Sequence, residues 1–60
     1  MDPLRIGAVI LIQVNATEKT WVTIIDVLPN NRFRGALFLY PLTKDNILTF
    51  GESDIIDIDL

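Results

Sequence analysis

The sequence predicts an all-β fold, either a small five-stranded barrel or a strongly bent meander sheet. Residues 20–27 and 32–40 are rich in Val, Ile, Thr and aromatic side chains, which suit pleated strands. Turn signals recur about every 8–12 residues, and no stretch has apolar residues at helical spacing. A chain of 60 residues is long enough for one domain only. We therefore expect residues 1–60 to form a single small β-barrel domain.

The first predicted strand covers Ile6–Val14, an apolar run that contains no polar side chain until Gln13. A continuous run of this kind is typical of a strand that is covered on both faces or packed between subunits. The polar segment 15–19 follows and is the first predicted turn.

A central hairpin is predicted around segment 28–31, Leu-Pro-Asn-Asn. Pro29 presets φ for a type I turn, and Asn31 tolerates a left-handed backbone. A three-residue loop with a bulge would place Asp26 opposite Arg34, whereas a two-residue loop would shift the pairing by one residue. We favour the three-residue loop because it pairs opposite charges across the strands, a contact worth roughly 0.2–1 kcal/mol.

The C-terminal third of the chain predicts two further strands. Pro41 is expected to end the third strand, and Ile47–Phe50 is a short fourth strand after a polar turn at residues 43–46. The segment Glu52–Ile55 begins with acids, as helices do, but has room for at most one 3₁₀ turn. The last strand is predicted from a strict alternation of apolar and acidic residues, namely Ile56, Asp57, Ile58, Asp59 and Leu60.

This order of elements resembles that of SH3-like barrels: a long first strand, a bent central hairpin, a short fourth strand, a single 3₁₀ turn and a short last strand. The resemblance is at the level of the fold and covers most of the chain, and no family signature accompanies it. It implies a fold and not a function, because small barrels serve many functions. An OB-like barrel is less favoured because the chain leaves no room for its helix.

The residue types present argue against catalysis. The sequence has no cysteine and no histidine, and its only serine, Ser53, has no candidate base beside it in sequence. We therefore expect a non-enzymatic protein without a cofactor. The acidic segment 52–59 offers oxygen ligands of the kind that Ca²⁺ and Mg²⁺ take, but its spacing matches no known metal-binding loop. We expect these acids to keep an edge strand soluble instead.

An excess of apolar residues is the main functional signal. Half of the residues are hydrophobic, which is more than the interior of one small barrel holds. We therefore predict that the chain forms a homodimer or higher oligomer, that it docks on a larger protein, or both. In the second case an acidic chain could block a basic site on that protein. The predicted interface lies on the outer face of the hairpin, which carries Ile24, Arg34, Phe38 and Tyr40, and it includes Trp21 close by.

Single-stranded nucleic-acid binding is the alternative, because aromatic and basic side chains meet on the same hairpin. The net charge of −3, from five basic and eight acidic residues, disfavours both phosphates and anionic lipid. The apolar run Ile6–Ile12 is too short to span a bilayer. Residues 1–5 contain an acid and only one base, unlike a secretory signal, so we expect a cytoplasmic protein.

Overall fold

The structure, a computed structural model, describes residues 4–59, and these form a single antiparallel sheet of five strands. In chain order the strands are β1 (Val9–Gln13), β2 (Lys19–Leu28), β3 (Arg32–Leu37), β4 (Ile47–Gly51) and β5 (Ile55–Asp59). Short 3₁₀ turns at Lys44–Asn46 and Glu52–Asp54 precede β4 and β5. The all-β, five-stranded prediction is confirmed. The single 3₁₀ turn expected within Glu52–Ile55 is also confirmed, and a further 3₁₀ turn forms before β4.

Two of the sequence-based expectations fall outside the described residues. Leu60, the last apolar position of the predicted fifth strand, is one of them. The other concerns residues 1–3, which carry part of the expectation about secretion. Within residues 4–59, no helical segment has the length and hydrophobicity that a membrane-spanning helix requires.

The sheet is strongly bent around one core. Its strand order is β4-β3-β2-β1-β5, so β5 returns across the sheet to pair with β1. The Cα atoms extend over 28 × 25 × 23 Å, and these similar extents require a curved sheet, because the Cα atoms of a flat sheet lie close to one plane. The buried cluster draws on the inner faces of four strands and consists of Ile10, Ile12, Val22, Ile24, Phe33 and Phe50.

β1 is shorter than predicted at both ends. The chain turns at Gly7, whose φ is 96° and whose backbone N–H donates to the carbonyl of Ile24 at 2.8 Å. At the other end Val14 leads into a turn held by the side chain of Asn15, which accepts two backbone hydrogen bonds. The predicted first turn is therefore confirmed. Of the two apolar faces of β1, the one with Ile10 is buried in the core, and the other lies half-buried on the outside of the sheet.

The predicted hairpin register is confirmed. Asp26 pairs with Arg34 across β2 and β3, and a three-residue loop connects the two strands. Asn31 has a left-handed backbone, with φ 58°, as expected. Asn30 is also left-handed, with φ 64°. The loop is therefore not the predicted type I turn, because the third residue of that turn has a negative φ.

A β-bulge at Ile25 decides which side chains of β2 face the core. Ile24 pairs with Gly35 and Asp26 pairs with Arg34, so Ile25 is the extra residue. Adjacent residues of β3 point to opposite faces of the sheet, and their partners Ile24 and Asp26 therefore do so as well. Ile24 is fully buried. The expectation that Ile24 lies on an outer interface is wrong, because an unbroken alternation does not cross this bulge.

β3 ends earlier than predicted, at Leu37. The backbone N–H of Phe38 still donates to the carbonyl of Trp21 at 3.0 Å, but Leu39 then turns left-handed with φ 69°. Phe38 and Tyr40 therefore belong to the loop between β3 and β4, and not to a strand as predicted.

A second bulge breaks the predicted alternation in β5. Leu11 of β1 pairs with Asp57, and the next residue of β1 pairs with Ile55, so Ile56 is the extra residue. Ile55 and Ile58 pack against the core, whereas Ile56 is 45% exposed. The prediction that Ile56 shares an apolar face with Ile58 is therefore wrong.

Candidate interaction surface

The loop that joins β3 to β4 exposes several large apolar side chains side by side. We call this surface the apolar loop, and it consists of Phe38, Leu39, Tyr40 and Leu42. The exposed fractions are 88% for Leu39, 69% for Leu42 and 64% for Tyr40. Large exposed apolar side chains grouped on one loop are typical of a protein-binding site.

Leu39 is the most unusual residue of the apolar loop. Its left-handed backbone, φ 69°, costs a residue with a Cβ atom roughly 1–2 kcal/mol. Its side chain is almost fully exposed and so contributes little to the packing of this chain. Strained backbone of this kind persists mainly where function requires it. The fold therefore gives no reason for a leucine at this position.

Hydrogen bonds fix both ends of the apolar loop. At the start, the N–H of Phe38 donates to the carbonyl of Trp21. At the end, the side-chain amide of Asn46 donates to the carbonyl of Pro41 at 2.8 Å and to the hydroxyl of Thr43 at 3.2 Å. The exposed side chains are thus presented on a defined backbone.

A cleft of about 290 Å³ lies beside the apolar loop and is lined by Val9, Trp21, Phe38 and Asp59. Its geometry follows from the strand register, because Val9 of β1 lies directly between Thr23 of β2 and Asp59 of β5. Trp21 is 39% exposed and Phe38 is 42% exposed. The cleft therefore has two aromatic walls, an aliphatic floor and a carboxylate on one side.

Comparisons with known proteins add nothing to what the loop and the cleft indicate about function. No family model, curated protein or solved structure matches this chain. What the protein does is therefore argued from the chemistry of this surface.

The structure brings together three of the five predicted interface residues. A backbone hydrogen bond joins Phe38 to Trp21 at the end of the hairpin away from its turn, and Tyr40 follows two residues later in the apolar loop. Arg34 lies four residues before Phe38, a distance of about 13 Å along an extended chain. Its Nη1 atom is 3.8 Å from Oδ2 of Asp26, and both side chains are about half exposed. Ile24 is in the core, and so only Arg34 and the three aromatic residues are available to a partner.

Sequence reasoning missed Leu39, Leu42, Val9 and Asp59 as members of this surface. The exposure of Leu39 and Leu42 could have been inferred from the uncharged run 35–43. This apolar run contains Pro41, and so it cannot continue as a central strand. When that run is interpreted as a strand, Leu39 is assigned to the β-sheet and its exposure is not predicted. Asp59 joins the cleft only through the pairing of β5 with β1, which no local pattern predicts.

The arrangement is suited to binding. Ser53, the only serine, is exposed in the second 3₁₀ turn, and the sequence has no histidine or cysteine to activate it. Among the residues that the structure describes, no group of three acidic side chains could hold a metal ion. The apolar loop can bury hydrophobic area, and the cleft adds a single carboxylate to two aromatic rings.

Proposed function

We propose that this chain is a small non-enzymatic protein-interaction module that self-associates through the apolar loop. The observation that carries the proposal is Leu39, an exposed leucine held in a left-handed conformation. A strained leucine whose side chain is 88% exposed is explained when it packs against another chain.

A second copy of the chain is the occupant that the apolar loop fits best. The loop has no charged residue, and so two copies meet without leaving a charge unpaired. Twofold pairing of identical surfaces is also the commonest form of self-association. Burying about 500 Å² of apolar area per subunit would contribute about 12 kcal/mol before the costs of association are subtracted.

Light scattering at low micromolar concentration, coupled to size-exclusion chromatography, tests the proposal. We expect a dimer or higher oligomer for the natural sequence and a monomer for Leu39→Gly. Glycine adopts a positive φ without strain, so this variant loses the side chain but keeps the loop. The matched control is Val27→Thr, because Val27 is 49% exposed at the opposite end of the hairpin. This control should associate as the natural sequence does.

Two results would contradict the proposal in different ways. A natural sequence that is monomeric would exclude self-association and make the apolar loop a docking site for a different, larger protein. A Leu39→Gly variant that still associates would place the interface elsewhere. Phe38→Glu is the second variant, and it should also be monomeric because it adds a charge at the base of the loop.

We infer that the fold is an SH3-like barrel and that the protein is cytoplasmic. The return of β5 to β1 and the 3₁₀ turn before β5 support an SH3-like barrel. A cytoplasmic location remains a prediction from the sequence. For the nucleic-acid alternative, Trp21 and Phe38 offer rings on which bases could stack. The carboxylate of Asp59 lies in the same cleft, however, and it would repel phosphates.

A further inference from the structure

The cleft beside the apolar loop combines groups that attract a cation. Trp21 and Phe38 form aromatic walls that are each about 40% exposed, and Asp59 supplies the carboxylate. Aromatic faces attract cations through their quadrupole, and Trp is the strongest ring in this respect. None of the four side chains that line the cleft is basic.

Charges around the cleft also favour a cation. Asp57 lies two residues from Asp59 on β5, and the register places it beside Leu11 on the same outer face. Asp59 forms no ion pair with another described residue, whereas Asp26 has Arg34 as its partner. The only basic residue on β2 is Lys19, which lies two residues from Trp21 and pairs with Gln13, four residues along β1 from Val9. The chain as a whole carries a net charge of −3.

We infer that this cleft binds an arginine side chain from a basic segment of another protein. One strand, β1, separates β2 from β5, so the axes of these two strands are about 10 Å apart. Trp21 pairs with Leu11 and Asp59 pairs with Val9, so the two residues are also offset by about 7 Å along the strands. A guanidinium plane lying over Val9 can stack on the ring of Trp21 and donate hydrogen bonds to Asp59. Arginine fits better than lysine because its planar group both stacks on aromatic rings and pairs with a carboxylate in a fork.

Binding of a short peptide, monitored by NMR of the Trp21 indole N–H, tests the inference. The probe is acetyl-Gly-Arg-Gly-amide, and the matched peptides carry citrulline or lysine in place of arginine. We expect a saturable shift of the indole signal with the arginine peptide and weaker binding of the lysine peptide. Citrulline has the same shape without the charge and should not bind. Equal shifts with arginine and citrulline would exclude a cation site.

Two isosteric variants test whether the carboxylate of Asp59 in particular binds the arginine peptide. Asp59→Asn should raise the dissociation constant of the arginine peptide by about two- to fivefold, the range for loss of one exposed ion pair. Glu52→Gln removes the same charge beside the hairpin loop, where its backbone N–H bonds to the carbonyl of Asn31, and should leave binding unchanged. Equal effects of both variants would mean that only the overall charge attracts the peptide.

This inference stands apart from self-association, and the two fail separately. A dimer that covers the cleft would block the peptide, so the titration is repeated on Leu39→Gly. Peptide binding by that variant supports the cation site whether or not the natural sequence is a dimer. If neither the natural sequence nor Leu39→Gly binds the arginine peptide, the inference is wrong and the proposed self-association is unaffected.

Discussion

Left-handed backbone occurs at three non-glycine positions among residues 4–59, and two different causes explain them. Asn30 and Asn31 lie in the hairpin loop, where the chain must reverse within three residues. Asparagine adopts this conformation readily because its short polar side chain bonds locally. Leu39 has no such group. Its conformation is a cost that the fold alone does not require, which is why it carries the proposed function.

We expect two substitutions of Asn31 to have different effects on the free energy of unfolding. Asn31→Gly should leave the free energy of unfolding unchanged or slightly raised, because glycine tolerates positive φ. Asn31→Val should lower it by about 1–2 kcal/mol, since a β-branched residue resists the left-handed region. Urea denaturation measures both. Thr49→Val is the control, because Thr49 lies exposed in β4, where valine is favoured. Equal stability of the two Asn31 variants would rule out a left-handed residue there.

The elements that sequence predicted well are those specified by local chemistry. The choice of a three-residue loop follows from the opposite charges of Asp26 and Arg34, which that loop places opposite each other. The bulge at Ile25 has no such local signal. Bulges form where the bend of the sheet requires them, and that bend depends on packing between strands that are distant in sequence. For this reason the hairpin register could be predicted while the face occupied by Ile24 could not.

The candidate surface was predictable in part for the same reason. Trp21, Phe38 and Tyr40 are aromatic, and residues of this type are candidates for an interface from composition alone. Where β3 ends determines whether the residues after Leu37 lie in a ladder or in solvent. Asp59 reaches the cleft through contacts between the two ends of the chain. Such non-local pairings are not encoded in any short pattern.

Close packing between β3 and the core makes Gly35 a sensitive position. A Cβ atom at Gly35 would lie 2.9 Å from Cε1 of Phe50 and 2.9 Å from Cγ2 of Val22. Both neighbours are buried, so we expect Gly35→Ala to lower the free energy of unfolding by about 1–3 kcal/mol through overpacking. Gly51→Ala is the matched control, because the added atom would lie 3.9 Å from Oγ of Ser53, an ordinary van der Waals distance. Thermal or urea unfolding of the pair decides: equal stabilities would mean that the sheet adjusts to the extra methyl group.

Within residues 4–59, large exposed apolar side chains outnumber the fully buried ones. Among the described residues seven hydrophobic residues are buried, and nine large ones are exposed. The core is built around the stacked rings of Phe33 and Phe50, whose centroids are 5.9 Å apart. A domain of this size has little stability to spare. Contact with a second copy would add buried apolar area that the single chain lacks.

Self-association of this kind makes stability depend on protein concentration. A dimer that dissociates as it unfolds gains about 2.7 kcal/mol for a hundredfold increase in concentration, because mass action favours the associated state. For a small domain this raises the melting temperature on the order of 10 °C. We expect that rise for the natural sequence and for the Val27→Thr control, and a constant melting temperature for Leu39→Gly. At the lowest concentration, where all three are monomeric, Leu39→Gly should be the most stable because glycine relieves the strain at that position. A natural sequence whose melting temperature does not change over the hundredfold range would show that the apolar loop does not join two copies.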